Sequence, residues 1–245
     1  MTDQIVYMDA AAATEAGTSY KRRLLEMLAA APGQTVVDLG CGPGTDLGSL
    51  RAAVGDTGQV IGVDRDPRMV EEARRRHPGA DLRQGDLHEL PLGDGTVDRV
   101  RVDRVLQHVT DPAAAISQAR RVLRPGGLFG MAEPDWDTLA VADDDRETSR
   151  AFARFTAGQV RNPSMGRELV RLCAGAGLRV RAVEPVPVLF RDYAVADRIL
   201  GLRRNSARAV EGGAIPRERA EAWLDRLAAG PVVAGFTHYL VVAQA

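Results

Sequence analysis

Val36-Val-Asp-Leu-Gly-Cys-Gly-Pro-Gly-Thr45 sets an apolar run against three glycines at alternating positions, Gly40, Gly42 and Gly44. Without Cβ atoms this backbone can turn sharply and approach a ligand closely. Asp38, ending the run, can accept a hydrogen bond from a cation or a hydroxyl. Asp64 closes a second apolar run, with Arg65 beside it, where a carboxylate can take both hydroxyls of an adenosine ribose. Asp86, in Gly85-Asp86-Leu87, suits an adenine exocyclic amine, with Leu87 against the ring. A nicotinamide-type G-x-G-x-x-G would need glycine at position 45, and Thr45 stands there.

These acids need elements that bring them to one edge. Leu24, Leu25 and Leu28 mark a helix over 19–30 that stops at Pro32-Gly33. Strands are predicted at 35–39, 59–63, 80–84, 97–102 and 128–132, the last after an Arg124-Pro-Gly-Gly127 turn. Asp66-Pro67 and Asp111-Pro112 are N-caps with proline at the first helical position, opening helices that bury Met69, Val70 and Ala73, then Ile116, Ala119, Val122 and Leu123. Strands alternating with helices imply an α/β, Rossmann-like doubly wound sheet whose carboxyl edge carries all three acids. Beyond residue 133, helices are expected over 143–160, 165–176 (capped by Gly177), 193–210 and 216–229, with an extended segment at 179–190. The chain reads as a single domain, 1–245, with a cofactor-binding core over about 20–135 and helical cap elements over about 139–176 and 192–229.

The 245 residues are 45% hydrophobic and 27% charged, enough to bury a large core. Thirty-two basic residues against thirty-three acidic ones leave a formal charge of −1, without the basic excess of a non-specific nucleic-acid binder. Lys21 is the only lysine and lies in an N-terminal charged run. Cys41 and Cys173 are too few for a disulfide framework or a cysteine zinc site, and no dense Asp/Asn/His cluster calls for a metal. Asp3 and Asp9 stand where a signal peptide needs a basic start and an apolar run, so a cytoplasmic protein is expected. Residues 227–245 lack charge and could span a bilayer in length, but Gly230, Pro231 and Gly235 interrupt them, so they read as a terminal strand or hairpin.

The ordered blocks resemble the class I S-adenosylmethionine-dependent methyltransferases, the small-molecule branch in particular. Six blocks between Leu24 and Glu133 carry the likeness: Asp38–Gly44, Val63-Asp64, Gly85-Asp86, Val97-Asp98, Val105-Leu-Gln-His-Val109 and Val122–Gly127. The resemblance implies a seven-stranded sheet with its last strand antiparallel, drawn from 183–190 and 232–242, and S-adenosyl-L-methionine as cofactor. It implies that Gly40 and Gly42 approach the methionine portion, that Asp38 lies near its ammonium, and that Asp103-Arg104 contacts the same end. Tyr7 and Tyr20 could form part of a lid or simply pack on helices.

The sulfonium is an activated methyl donor, so alignment of an attacking atom supplies much of the rate. His108 is the best-placed histidine to act as general base, and the resemblance implies a partner acid after the fifth strand, Glu133 or Asp135, unless the ring only packs beside the cofactor. Trp136 offers a flat wall for a small-molecule acceptor or packs the cap, and Phe152 and Phe155 line a pocket or belong to the core. Oxygen and carbon acceptors are favoured, with no nucleic-acid or membrane partner. A homodimer is compatible with the sequence. A protein that binds the cofactor without transferring methyl, as a regulatory module or a cyclase, is the alternative.

Overall fold

The computed structural model describes residues 4–245, so Asp3 lies outside the described residues. Helices α1 (Gln4–Ala12) and α2 (Glu15–Leu28) precede β1 (Thr35–Leu39), α3 (Leu47–Val54), β2 (Gln59–Asp64), α4 (Pro67–Arg76) and β3 (Asp81–Gln84). Next come β4 (Val97–Asp103), a 3-10 turn (Leu106–His108), α5 (Pro112–Val122) and β5 (Leu123–Val141). The second half holds α6 (Arg146–Gly158), α7 (Met165–Gly175), β6 (Arg179–Phe190), α8 (Tyr193–Leu200), α9 (Leu202–Glu211), α10 (Arg217–Ala229) and β7 (Ala234–Gln244). Seven strands form one sheet in the order β3-β2-β1-β4-β5-β7-β6, with β7 antiparallel to both neighbours. This is the doubly wound, seven-stranded arrangement read from the sequence.

Helices cover both faces of the sheet, which is why its parallel strands are nearly continuous runs of Val, Ile and Leu. On one face Val37, Val63, Val100 and Phe129 are buried with Ile116 of α5 and Leu169 of α7. On the other, Val36 and Val60 meet Leu50 of α3 and Val70 of α4. Both Asp-Pro caps form as read: Asp66 Oδ1 accepts from the Arg68 amide at 3.0 Å, and Asp111 Oδ1 from the Ala114 amide at 3.0 Å.

Four sequence expectations change. Arg124–Gly127 is an excursion inside β5 between Leu123, opposite Val97, and Leu128, opposite Arg99, and it is held by Gly126 bonding to the Ala245 carbonyl at 2.9 Å. The strand does not end at Ala132 either; Glu133 to Asp135 continue it, because β7 supplies Tyr239, His238 and Thr237 as partners. The helix expected over 193–210 is two helices, divided where Gly201 takes a left-handed conformation at φ 65°. Helix α7, grouped with the cap from sequence, packs on the sheet through Met165, Leu169 and Cys173.

The cap proper is α6, α8, α9 and α10 around a second core that includes Phe152, Trp223, Leu200 and Phe236. The uncharged residues 227–245 end as β7, and no helix among the described residues is long and apolar enough to cross a membrane.

Candidate active site

The glycine loop leaves β1 and is sewn to the tip of β2. Gly40 and Cys41 amides donate to the Val63 carbonyl at 2.7 and 3.1 Å, and the Gly42 amide donates to Asp64 Oδ2 at 2.9 Å. The other Asp64 oxygen accepts from the Asp66 amide at 2.9 Å. Gly40 and Gly42 have φ of 67° and 53°, where a side chain is strained. A Cβ on Gly40 would fall 2.5 Å from Val105, and one on Gly42 would fall 2.7 Å from Met8 Cε. Both positions thus favour glycine, Gly40 most strongly because Val105 of the segment after β4 crowds it.

A buried ion cluster lies beside that loop. Arg101 of β4 donates Nη1 to Asp38 Oδ1 at 2.8 Å and Nη2 to Asp46 and Asp103 at 2.8 and 2.9 Å. Lys21 Nζ joins Asp46 to Asp103, lying 2.7 Å from the latter, and Tyr20 Oη donates to Asp103 Oδ1 at 3.1 Å. Arg104, in a left-handed conformation at φ 57°, brings its Nε to 3.5 Å from Asp103. Three carboxylates thus face three cations.

Burial opposes ionisation of Asp103, but Lys21, Arg104 and Arg101 outweigh it and hold the carboxyl well below the usual range. Asp38 is pushed up to about 6 by burial, against the pull of Arg101.

The remaining predicted residues separate into groups. Leu87 is buried; Asp86 is exposed and accepts from the His88 amide at 2.8 Å. Arg65 is exposed next to Asp64. Tyr7 Oη reaches the Ile199 carbonyl at 3.4 Å, tying α1 to the cap, while Tyr20 belongs to the ion cluster.

Glu133 is fully buried and accepts the amides of Val105, Leu106 and Gln107 at 2.8, 2.7 and 3.3 Å. Asp135, equally buried, is clamped by Arg167, whose Nη2 lies 2.6 Å away. Their oxygens serve these groups, and neither carboxylate is hydrogen-bonded to His108, so the expected His–acid pairs do not form. His108 stays solvent-accessible on the turn, yet the protein packed around its ring, and then Arg65 and Arg104, hold its pKa below the ordinary histidine value.

Trp136 Nε1 donates to Gln107 Oε1 at 2.7 Å, and its ring lies 4.6 Å from that of Phe236. For Phe152 the core alternative holds: it is fully buried, 5.0 Å from the Trp223 ring, in the cap interior. Phe155 is half-buried beside it.

Sequence reasoning missed Lys21, Arg101 and His238 at this site. Being the only lysine was a signal for Lys21, and an arginine between Val100 and Val102 in a buried strand was one for Arg101. His238 stood in an apolar terminal run and gave less warning.

The donor set suits an adenosyl amino acid: a carboxylate at the β2 tip for a ribose diol, and Asp103 with Lys21, Arg101 and Arg104 for an α-ammonium and α-carboxylate. A methyltransferase domain model matches residues 37–131. An uncharacterized 37.1 kDa protein in transposon TN4556 of Streptomyces fradiae is 52% identical, over 99% of this chain and 72% of that protein. A probable S-adenosylmethionine-dependent methyltransferase of Mycolicibacterium smegmatis is 41% identical over 46% of this chain and 42% of its own length. The demethylmenaquinone methyltransferase of Beutenbergia cavernae is 37% identical over 48% and 49%. The match therefore covers about half or less of those two enzymes. In fold alone, a candidate methyltransferase from Bacillus halodurans superposes with a TM-score of 0.69 at 17% identity, over 92% of this chain and 98% of that one. The cyclase SpnF does so with 0.59 at 20% identity, over 93% and 81%.

Proposed function

We propose that the chain is a class I S-adenosylmethionine-dependent methyltransferase, as the domain match over residues 37–131 and the Mycolicibacterium smegmatis relative support, and that it moves the methyl group to an oxygen or carbon of a small-molecule acceptor by in-line displacement. The observation that carries this reading is the meeting of the glycine loop, Asp64 and the Asp103 cluster at the carboxyl ends of β1, β2 and β4. When bound, S-adenosylmethionine supplies a methyl activated by its sulfonium. Asp64 is offered to the ribose hydroxyls and Asp86 to the adenine amine, with Leu87 against the ring. Lys21, Arg101 and Arg104 face the carboxylate, and Asp103 the ammonium. Glu133 fixes the 105–107 backbone by accepting its three amides, which sets the wall next to the reacting end.

His108 is offered as general base. Its lowered pKa favours the neutral ring, which can accept a hydroxyl proton, and the 3-10 turn that carries it follows β4 at the carboxyl edge of the sheet. It acts without a carboxylate partner, since Glu133 and Asp135 are engaged elsewhere. The near-zero net charge favours a small acceptor over nucleic acid.

The likeness to SpnF keeps a second reading in view, in which the same fold holds the cofactor and transfers no methyl. Titration calorimetry with S-adenosylhomocysteine tests the cofactor, with Asp64→Ala expected to weaken binding by about tenfold or more. Release of S-adenosylhomocysteine during incubation with acceptor separates transfer from mere binding. No heat of binding from either form of the cofactor would defeat both readings.

A further inference from the structure

Among the described residues, five buried side-chain atoms have no hydrogen-bond partner, and three of them lie on two residues around Asp103: Arg104 Nε and both ring nitrogens of His238. His238 sits on β7 opposite Pro134 of β5 and is 1% exposed. Its ring stacks on Tyr20, 4.5 Å between centroids at 20°, and the Tyr20 hydroxyl is held by Asp103. Two residues earlier on the same strand, Phe236 lies 5.8 Å from the imidazole, and Trp136 lies 4.6 Å beyond it. Tyr20, His238, Phe236 and Trp136 therefore make a continuous aromatic wall running from the ion cluster to the cap, in a chain with only 4% aromatic residues.

An imidazole with neither nitrogen bonded is costly at this depth, so packing alone would be better served by Phe or Leu. The adjacent charges balance, three carboxylates against Lys21, Arg101 and Arg104. Burial lowers the His238 pKa to about 3 and keeps the ring neutral, with one donor and one acceptor nitrogen. A neutral, flat partner with a hydrogen-bonding group matches such a surface; a charged one does not.

Building on the methyltransferase reading, we propose that His238 is a specificity-determining residue. One of its ring nitrogens hydrogen-bonds the hydroxyl of a neutral aromatic alcohol that lies along the Tyr20–Phe236–Trp136 wall. Access requires the elements over the ring to part. Helix α1, whose one buried residue is Ala11, covers the neighbouring glycine loop through Met8.

Phenol and toluene are matched probes that share a ring and differ in the hydroxyl. Their binding to the full chain saturated with S-adenosylhomocysteine is followed by imidazole nitrogen NMR and by dissociation constants. Phenol is expected to shift the His238 nitrogens and to bind about tenfold more tightly than toluene, the worth of one hydrogen bond. His238→Phe removes that preference and changes the S-adenosylhomocysteine dissociation constant less than about threefold. His238→Gln, a polar second variant should the first misfold, retains part of the preference. Equal affinity for the two probes in the natural chain, unmoved His238 signals, or a preference that survives in either the Phe variant or, undiminished, the Gln variant overturns the proposal. Failure of S-adenosylhomocysteine to bind defeats the cofactor reading instead; the same probe comparison on the unloaded chain then decides His238.

Discussion

Arg101 Nη1 lies 2.8 Å from Asp38 Oδ1, and both side chains are closed off from solvent beside the glycine loop. The acid that opens the glycine motif is thus engaged by a strand neighbour, and Arg101 also serves Asp46 and Asp103. One guanidinium thereby holds three carboxylates from β1, the loop and β4 in fixed positions. Its planar fork suits this role, and a lysine ammonium could not match that geometry.

Arg101→Met should accordingly leave buried carboxylates with a cation missing. Removing one partner of a buried pair costs about 3–5 kcal/mol, which urea denaturation reads as a lower midpoint. Arg101→Lys should recover part of that loss. An unchanged midpoint in Arg101→Met would contradict the structural role assigned to the cluster.

Glu133 gives a second prediction. Burial pushes its carboxyl up to about 8 against the pull of the Leu106 and Val105 amides. Glu133→Ala removes the acceptor for three buried amides, at about 1–3 kcal/mol apiece, and should release the 105–108 turn. Glu133→Gln keeps one accepting oxygen and the volume, so its loss should be smaller. Denaturant midpoints of the two variants give the order; equal losses would mean that the side chain only fills space.

What the sequence made legible was local. Val36–Leu39 against the glycines, the Asp-Pro caps at 66–67 and 111–112, and the acids at strand ends all announce themselves within a few residues. The rest depends on pairings between distant elements. Nothing near Glu133 says that β7 will arrive beside it and extend β5 to Val141. Lys21 looked like one charge in a surface run until α2 folded against β4, and His238 became part of the site only because β7 set it on Tyr20. Gly201 was visible as a residue but not as a helix break, because its left-handed turn matters only where α8 and α9 must change direction.

Helix α1 supplies a third prediction. Asp9 accepts two bonds from Arg76 at 2.9 and 2.8 Å, which fastens α1 to α4 while Met8 rests on Gly42. An ion pair of this partly exposed kind contributes about 0.5–1 kcal/mol. Arg76→Ala should therefore raise amide hydrogen exchange over residues 4–14 by roughly two- to fivefold, and weaken S-adenosylhomocysteine binding by no more than that factor. Unchanged exchange over this segment would show that the pair does not fasten the helix.

The final prediction concerns acid. His238 faces Asp103, which favours its charged form, and Arg104 and Lys21, which oppose it; burial dominates and brings the pKa from 6.5 to about 3. Between those values the unfolded chain binds a proton that the folded chain does not, so stability falls as the pH drops through this window. From pH 7.5 to 5.0 the loss attributable to this one ring amounts to about 2 kcal/mol, at 1.36 kcal/mol per unit below 6.5. His238→Phe has no proton to bind in either state and leaves no unbonded nitrogen in the wall. It should match or exceed the natural chain in stability at pH 7.5, and its advantage should widen by that amount at pH 5.0. Urea unfolding of both chains at the two pH values measures the difference directly. A gap that stays constant with pH would mean that the ring binds its proton as readily in the folded protein as in the unfolded chain.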